Sequence, residues 1–273
     1  MRRGDAEAMA GRGTSFLPTR AADSGVAHIG VAQCQLDDDR DIALSEAWPL
    51  LSVDEAARAR RFHFDRDRNR YARGRGFLRV MLGQVCGQDP AGLIFATGTQ
   101  GKPFLQGSPL AFNLSHSRDL AVLAVSGAGP VGIDIEFIDR QADVAGLAQS
   151  CLTPDEANVL AALPKEAQRA RFFAFWTAKE ARMKLTGQGL SLPPRQIALA
   201  LRDGLPVGYL RPDTPAAQAV FLDLGRPAAS CCLALADGPK PSIIPLVIRS
   251  PFRISTAPFM TERAYYGSGQ TDV

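Results

Sequence analysis

The chain has 273 residues, of which 46% are hydrophobic and 22% charged, and its formal net charge is +3. This balance is typical of a globular protein and excludes disorder as the main state of the chain. With 31 basic and 28 acidic residues, the total charge does not identify a partner, so the position of the charges carries the information.

Cysteine and histidine content bears on cell compartment and on metal chemistry. The five cysteines have no Cys-x-x-Cys spacing and are too few for the disulfide framework of a small secreted domain, so we expect a reducing cytoplasm. Because no apolar run is long enough, we expect neither a signal peptide nor a transmembrane helix. Only three histidines are present, which nearly excludes a zinc site built on several of them.

The first predicted helix begins at Ser52-Val53-Asp54-Glu55, a capping box in which Ser and Glu side chains satisfy free backbone amides. The Arg-rich stretch that follows favours helix, with room for one break, to about Cys86. Before it, residues 1–25 show no regular hydrophobic period, and we predict a mobile extension there.

A short apolar run from Asp119 to Val125 predicts a buried strand, and a second strand begins at Val131. Thr153-Pro154-Asp155-Glu156 repeats the capping-box pattern, and Pro164 closes the helix that it starts. A longer helix is predicted from about Lys165 to Thr186.

The chain also shows a weak internal repeat. Residues 228–236 resemble the strand near residue 120, and each half offers a helix before such a strand. Because short Ala/Leu/Val runs recur by chance, the repeat only suggests two similar lobes. From residue 239 onward the sequence is Pro-rich, and we predict that 239–273 is a tail outside the core.

Asp134 and Glu136 lie in an alternating apolar and acidic segment, Val131-Gly132-Ile133-Asp134-Ile135-Glu136. Strand side chains alternate between faces, so both carboxylates point the same way. Two like charges side by side repel unless a cation lies between them, and hard oxygen ligands suit Mg²⁺ or Mn²⁺. A lone Asp-x-Glu pair is more often a solvated strand face, so a metal site needs a third ligand.

The predicted helix around Trp176 offers that third ligand, because positions 176, 180 and 184 share one helix face. Glu180 and Lys184 are therefore neighbours. The alternative is an ordinary surface ion pair beside aromatic core residues.

Two polar segments suit phosphate groups. Phe112-Asn113-Leu114-Ser115-His116-Ser117 offers small donors and an imidazole, although loop-capping serines and a structural histidine are the commoner explanation. A Ser-His hydrolase is disfavoured because the chain has no Gly-x-Ser-x-Gly elbow. Nine arginines lie between Arg58 and Arg79; they favour a polyphosphate, a nucleic acid or a solvated helix face.

Taken together, Gly132-Ile133-Asp134 with Glu136, and Trp176-Thr177-Ala178-Lys179-Glu180-Ala181-x-x-Lys184, resemble the two signature motifs of Sfp-type 4′-phosphopantetheinyl transferases. Three further segments match in the same order, and the resemblance covers about residues 45–238. These segments are Gly101-Lys102-Pro103, Phe112-Asn113-Leu114-Ser115-His116-Ser117 and Gly187-Gln188-Gly189-Leu190-Ser191-Leu192-Pro193.

The resemblance implies an α+β fold of two similar lobes related by a pseudo-twofold axis, with coenzyme A in the cleft between them. The N-terminal lobe would span 26–128 and the C-terminal lobe, with the metal site, 129–238. The implied reaction is a Mg²⁺-dependent transfer of the phosphopantetheine arm of coenzyme A to a serine of an apo acyl or peptidyl carrier protein, leaving adenosine 3′,5′-bisphosphate. We expect a monomer that binds neither nucleic acid nor membrane; an Arg-rich nucleic-acid-binding module is the alternative.

The resemblance also assigns residue roles. Asp134, Glu136 and Glu180 would hold Mg²⁺ against the pyrophosphate, and Lys184 would stabilise the leaving phosphate. The general base would be Glu180, directly or through a metal-bound water, with Glu136 or a water that it orients as the rival. The expected coenzyme A contacts are Arg58, Lys102, Pro103, Asn113, Ser115, His116 and Lys184.

Overall fold

The structure is a computed structural model that describes residues 28–210, 216–226, 228–236, 241–249 and 253–256. Within these ranges the chain forms a mixed α+β fold. Its helices are α1 (Leu44–Ala47), α2 (Val53–Arg60), α3 (Asp65–Cys86), α4 (Val144–Cys151), α5 (Pro154–Ala161) and α6 (Lys165–Thr186). Its strands are β1 (His28–Gln35), β2 (Phe95–Thr97), β3 (Pro103–Leu105), β4 (Ala111–Ser117), β5 (Leu120–Ser126), β6 (Val131–Phe137), β7 (Leu199–Arg202), β8 (Leu205–Tyr209), β9 (Ala216–Phe221), β10 (Ala229–Ala236), β11 (Ser242–Arg249) and β12 (Arg253–Thr256).

The strands form two five-stranded sheets and one two-stranded sheet. The first sheet has the order β12-β11-β1-β5-β4, the second β6-β10-β9-β8-β7, and β2 pairs with β3. All pairs are antiparallel except β1 with β11, which run parallel. The strand that carries Asp134 and Glu136 is thus the edge of the second sheet.

The strands distribute apolar side chains to both of their faces. On one face of β5, Leu123 packs with α3, whereas Val122 on the other face joins a central cluster. Ile133 of β6 and Leu233 of β10 belong to the same central cluster. This cluster therefore joins the first sheet to the second, and α3 and α6 each cover the outer face of one sheet.

The two long helices have the same length and the same kind of C-terminal cap. Helices α3 and α6 each have 22 residues and each ends at a glycine in the left-handed conformation, Gly87 and Gly187. In this conformation glycine avoids the steric cost that other residues meet. The pseudo-twofold axis itself stays a prediction.

A buried ion pair also recurs at the fifteenth position of each long helix. Glu55, in the capping box of α2, accepts from Arg79 at 2.7 Å, and Arg79 also donates to the carbonyls of residues 90 and 93. Glu156, in the capping box of α5, pairs with Lys179 at 2.7 Å, and Lys179 donates to the carbonyls of residues 194 and 197. Both capping boxes are therefore part of the helix packing.

The predicted helix boundaries agree closely with the structure. The stretch after Ser52 forms α2, breaks, and continues as α3 to Cys86, and α6 spans Lys165–Thr186. Strands β5, β6 and β10 lie where strands were predicted. The expected extension over residues 1–25 lies outside the described residues.

The prediction of a tail over 239–273 is corrected for part of its length. Residues 242–249 form β11, which pairs with β1, and Leu246 is buried in the core of the first half. The run Ile243-Ile244-Pro245-Leu246-Val247-Ile248 explains the difference, because its β-branched residues favour a strand despite Pro245. Among the described residues, no helix combines the length and hydrophobicity that crossing a membrane requires.

Candidate active site

Strand β6 and helix α6 bring the three acidic side chains together. On β6 the apolar side chains of Ile133 and Ile135 enter the central cluster, so Asp134 and Glu136 extend from the opposite face. Asp134 is 1% exposed, whereas Glu136 and Glu180 are half-buried. One carboxylate oxygen from each of the three residues lies within 4.8 Å of the other two.

Gly132 is the reason that α6 can approach β6 this closely. A Cβ at this position would overlap the carbonyl oxygen of Ala181 and the backbone amide of Leu185. Because these two residues belong to the same turns of α6 as Glu180 and Lys184, the missing side chain places both functional residues over β6. Glycine in the first signature motif is thus required by helix packing.

Lys184 forms ion pairs with two of the three acids. Its Nζ is 2.5 Å from Asp134 Oδ1 and 3.7 Å from the Glu180 carboxylate, and it donates to Ser115 Oγ at 2.8 Å. Ser115 Oγ in turn donates to Asp134 Oδ1 at 2.9 Å. The other oxygen of Asp134, Oδ2, is buried and has no hydrogen-bond partner in the part of the chain that the structure describes.

Crowding of the carboxylates changes their acidity. Burial and then the charge of Asp134 raise the pKa of Glu180 to about 7, although Lys184 opposes the shift. Burial and Asp134 also raise the pKa of Glu136, against the hydrogen bonds from Ser117 and the Trp176 side chain. The site thus holds more negative charge than Lys184 balances, and a bound cation would relieve it.

These donors fit a hard divalent cation. The oxygens come from three carboxylates, a ligand set that Mg²⁺ and Mn²⁺ accept. Asp134 Oδ2 is a buried acceptor without a donor, which is costly in a finished site unless a ligand satisfies it.

Small polar side chains of β4 join the first sheet to β6. Asn113 Oδ1 accepts from the Ile133 amide at 2.8 Å, Ser115 donates to Asp134, and Ser117 Oγ donates to Glu136 Oε2 at 2.9 Å. These residues of β4 alternate, as expected for one face of a strand. The segment 112–117, interpreted from the sequence as suited to phosphate, is therefore part of strand β4. One face of this strand forms hydrogen bonds to β6.

The expected coenzyme A contacts of the first half lie in different environments. Arg58 is exposed on α2, with its guanidinium 5.4 Å from the centre of the Tyr71 ring. His116 is exposed at the end of β4, and partial desolvation together with Lys184 and Arg70 lowers its pKa. Among the described residues, no hydrogen bond or ion pair joins Arg58 to the acidic group.

Lys102 and Pro103 lie at the mouth of a cleft of about 350 Å³. Lys102 Nζ donates to the carbonyls of Val131 and Leu185 at 2.8 and 3.1 Å, and burial lowers its pKa to about 8. The cleft is mainly apolar and runs between the start of β4 and the end of α6. Its lining consists of Lys102, Pro103, Phe104, Pro109, Leu110, Ala111, Phe112, Pro130 and Leu185.

Most arginines of the Arg-rich segment pair with acidic side chains of the protein. Six of its nine arginines form ion pairs within the described residues, and the pair of Arg79 with Glu55 is buried. The six are Arg66, Arg68, Arg70, Arg73, Arg75 and Arg79. These pairs neutralise part of the positive charge that the nucleic-acid alternative would use.

Sequence reasoning did not assign a role to two residues of this site. Ser117 and Trp176 both donate hydrogen bonds to the Glu136 carboxylate. Ser117 shares the period-two face with Ser115, so a strand assignment for residues 111–117 would have indicated it. Lys179, although part of the second motif, is fully buried against Glu156 and lies away from the acids.

Comparison with known families gives two matches that lie next to each other in the chain. A model described as the 4′-phosphopantetheinyl transferase superfamily matches residues 130–232, and one described as 4′-phosphopantetheinyl transferase, N-terminal, matches residues 40–128. The first match contains all three acidic residues and Lys184. The second contains Arg58, Lys102 and the polar face of β4.

Individual relatives carry the same description. The chain is 41% identical over 167 residues to the 4′-phosphopantetheinyl transferase HetI of Nostoc sp., covering 59% of this chain and 70% of that protein. It is 39% identical to psf-1 of Bacillus pumilus, covering 58% and 68% of the two chains. It is 33% identical to a 4′-phosphopantetheinyl transferase of Bacillus subtilis, covering 64% and 79%.

Proposed function

The chain belongs to the 4′-phosphopantetheinyl transferase superfamily, and from this premise we propose the following reaction for it. It transfers the 4′-phosphopantetheine arm of coenzyme A to a serine hydroxyl of an apo acyl or peptidyl carrier protein. The serine oxygen forms a bond to the pantetheine-bearing phosphorus, the bridging phosphoanhydride bond breaks, and adenosine 3′,5′-bisphosphate leaves. The observation that carries this proposal is the convergence of Asp134, Glu136, Glu180 and Lys184 at one point.

Asp134, Glu136 and Glu180 would hold Mg²⁺ or Mn²⁺. When bound, the cation supplies charge neutralisation for the pyrophosphate oxygens. The unpartnered Oδ2 of Asp134 and the raised pKa of Glu180 support this assignment.

Lys184 would exchange partners during the reaction. Without a cation it neutralises Asp134. During transfer its ammonium group would contact the phosphate oxygens, where negative charge accumulates as the anhydride bond breaks. Its side chain is 29% exposed, so it can reach a substrate without unfolding the site.

The serine proton needs an acceptor near the same point. Glu180 is one candidate, directly or through a bound water, because its carboxylate lies within the acidic group where the reaction would take place. Glu136, or a water that it orients, is the other. The two differ in their contacts, since Glu136 accepts from Ser117 and Glu180 faces Lys184.

The coenzyme A contacts divide into two groups. Arg58, Lys102 and His116 are cationic or imidazole side chains at the surface or the cleft mouth, and we assign them to the 3′-phosphate and pyrophosphate, with Pro103 lining the cleft. We assign Asn113 and Ser115 to coenzyme A binding as well; their hydrogen bonds to β6 also fix the Ile133 amide and the Asp134 carboxylate.

The experiment is incubation of the protein with coenzyme A, Mg²⁺ and a panel of apo carrier proteins, followed by intact-mass measurement of each carrier. We expect one carrier or more to gain the mass of a single phosphopantetheine arm, and its Ser→Ala variant to gain nothing. Glu180→Gln should abolish the gain. If no carrier gains mass while the protein is folded, the proposal fails, and binding to duplex DNA then becomes the measurement to make.

We also propose that the protein acts as a monomer on its carrier protein, in the cytoplasm. Size-exclusion chromatography with light scattering, before and after addition of coenzyme A, tests the first point. A stable dimer in both conditions would contradict it.

A further inference from the structure

Ser117 is the last residue of β4, in the first half of the chain, and it contacts the acidic group of the second half. Its Oγ accepts from the Phe137 amide at 3.2 Å and donates to Glu136 Oε2 at 2.9 Å. A serine hydroxyl has one hydrogen and two lone pairs. Because the Phe137 amide occupies a lone pair, the hydroxyl hydrogen is directed at Glu136.

The backbone next to Ser117 is held in place as well. Arg118 follows it with φ of 51°, in the left-handed region that costs a residue with a Cβ about 1 kcal/mol or more. The Arg118 guanidinium lies 5.3 Å from the centre of the Phe137 ring. Residues 117 and 118 thus make three contacts with residues 136 and 137.

The hydrogen bond from Ser117 uses only part of the Glu136 carboxylate. An ionised carboxylate has about four acceptor directions, and Ser117 and Trp176 supply two donors. Acceptor capacity therefore remains on this carboxylate, one oxygen of which lies within 4.8 Å of an oxygen of Asp134 and of Glu180. The serine therefore selects one orientation of a side chain that otherwise has several rotamers.

We infer that Ser117 is a positioning residue, which holds Glu136 in the orientation that binds the divalent cation. The inference rests on the proposed function of the three acids as cation ligands. It assigns to the first half of the chain a direct part in building the metal centre of the second half. Ser117 does not contact the reacting atoms.

The test is Mn²⁺ binding to the metal-free protein, measured by electron paramagnetic resonance without coenzyme A or carrier. Loss of a hydrogen bond that orients a metal ligand typically weakens affinity 10- to 100-fold, so we expect Ser117→Ala to raise the Mn²⁺ dissociation constant about 10-fold or more. Ser117→Thr keeps the hydroxyl and should bind within about 2-fold of wild type. In the transfer reaction, the Mg²⁺ concentration for half-maximal rate should rise in the alanine variant, with little change in KM for coenzyme A.

Ser150→Ala is the matched control, because Ser150 Oγ is exposed and bonds to carbonyls of its own helix. It should bind Mn²⁺ as wild type does. If Ser117→Ala does not fold, as judged by thermal unfolding without metal, Ser117→Cys decides, since a thiol is a weak donor and should give reduced affinity.

Two outcomes separate the inference from the proposed function. Wild-type affinity in a folded alanine or cysteine variant, or a threonine variant as weak as alanine, would overturn the role of Ser117. If Glu180→Gln binds Mn²⁺ as tightly as wild type, the assignment of the cation to the three acids fails instead.

Discussion

The raised pKa of Glu180 reflects its burial and the neighbouring charge of Asp134. Its carboxylate lies beside Asp134 and Glu136, and its pKa of about 7 is well above the usual 4.5. Between about pH 4.5 and pH 7, the metal-free folded state therefore holds a proton that the unfolded chain has already lost. By linkage, this group makes folding less favourable as pH rises from about 4.5 to 7.

We therefore predict that Glu180→Gln stabilises the metal-free protein at pH 8 and leaves its stability unchanged at pH 4. The gain at pH 8 is up to about 3 kcal/mol, from 1.36 kcal/mol per pKa unit. Urea unfolding in the presence of a chelator, at both pH values, measures it. Equal or lower stability of the variant at pH 8 would show that burial and the neighbouring carboxylates do not raise the pKa of Glu180 in the folded state.

Among single residues, the sequence predicted the acidic side chains of the site better than the side chains that hold them in place. The alternation of side chains along a strand predicted that Asp134 and Glu136 share one face, and helical spacing placed Glu180 next to Lys184. The three carboxylates do converge. The partners of Ser115 and Asn113 could not be predicted, because a hydrogen bond between β4 and β6 depends on how two sheets meet. That relation is tertiary and leaves no local pattern.

At the scale of elements, the contact of α6 with β6 depends on a position without a side chain. A Cβ at Gly132 would overlap α6 backbone atoms, and overpacking of a tight core contact costs about 1–3 kcal/mol. We predict that Gly132→Ala lowers the free energy of unfolding by at least that amount and reduces transfer more strongly, because α6 carries Glu180 and Lys184. Unfolding curves and initial rates measure the two effects.

Gly74→Ala, in α3, is the control for adding a methyl group. The nearest atom to its new Cβ would be Leu36 Cδ2 at 3.9 Å, an ordinary contact. Alanine in a helix interior is favoured over glycine by about 1 kcal/mol, so this variant should be stabilised and keep its activity. A Gly132→Ala protein as stable and active as the Gly74→Ala protein would contradict the packing argument.

The buried pair of Glu156 and Lys179 gives a second prediction for an element. Both side chains are at most 1% exposed, and breaking a buried pair by removing one partner costs about 3–5 kcal/mol. Lys179→Met should destabilise the protein by that amount, whereas Lys179→Met with Glu156→Gln, which removes the unpaired charge and keeps one acceptor oxygen for a backbone amide, should recover part of the loss.

Chemical denaturation of the single and double variants tests this prediction. Because Lys179 contacts no acid of the site, the rate per folded molecule should stay near wild type. A variant that is fully stable yet inactive would place Lys179 in the chemistry instead.

Helices and strands were predictable where a local sequence signal marks their ends. Capping boxes at Ser52 and Thr153 located the starts of α2 and α5, and Pro164 marked the end of α5, whereas the short helices α1 and α4 were not predicted. Strand β11 was missed because Pro245 and its neighbouring prolines indicated a tail. Its pairing with β1, more than 200 residues earlier in the chain, cannot be read from local sequence.

For the whole molecule, the central apolar cluster determines how the protein unfolds. It contains Val31 and Val122 from the first sheet and Ile135 and Leu233 from the second, so neither half can bury its surface alone. We predict one cooperative transition for both halves. The two tryptophans, Trp48 and Trp176, lie in different halves and can report on each.

Trp48→Phe leaves only the reporter in the second half, and Trp176→Phe leaves only the one in the first. In each variant, the fluorescence transition in urea should coincide with the loss of helical circular dichroism. Separate midpoints for the two signals within either variant would show that the halves unfold independently.

The account as a whole depends on a divalent cation held by side chains from β6 and α6. The direct measurement is a crystal structure with coenzyme A and Mn²⁺, in which anomalous scattering locates the metal. We predict a peak about 2–2.3 Å from an oxygen of each of Asp134, Glu136 and Glu180, with Lys184 released from Asp134 toward the pyrophosphate. Bound coenzyme A with no anomalous peak among these three carboxylates would contradict the account.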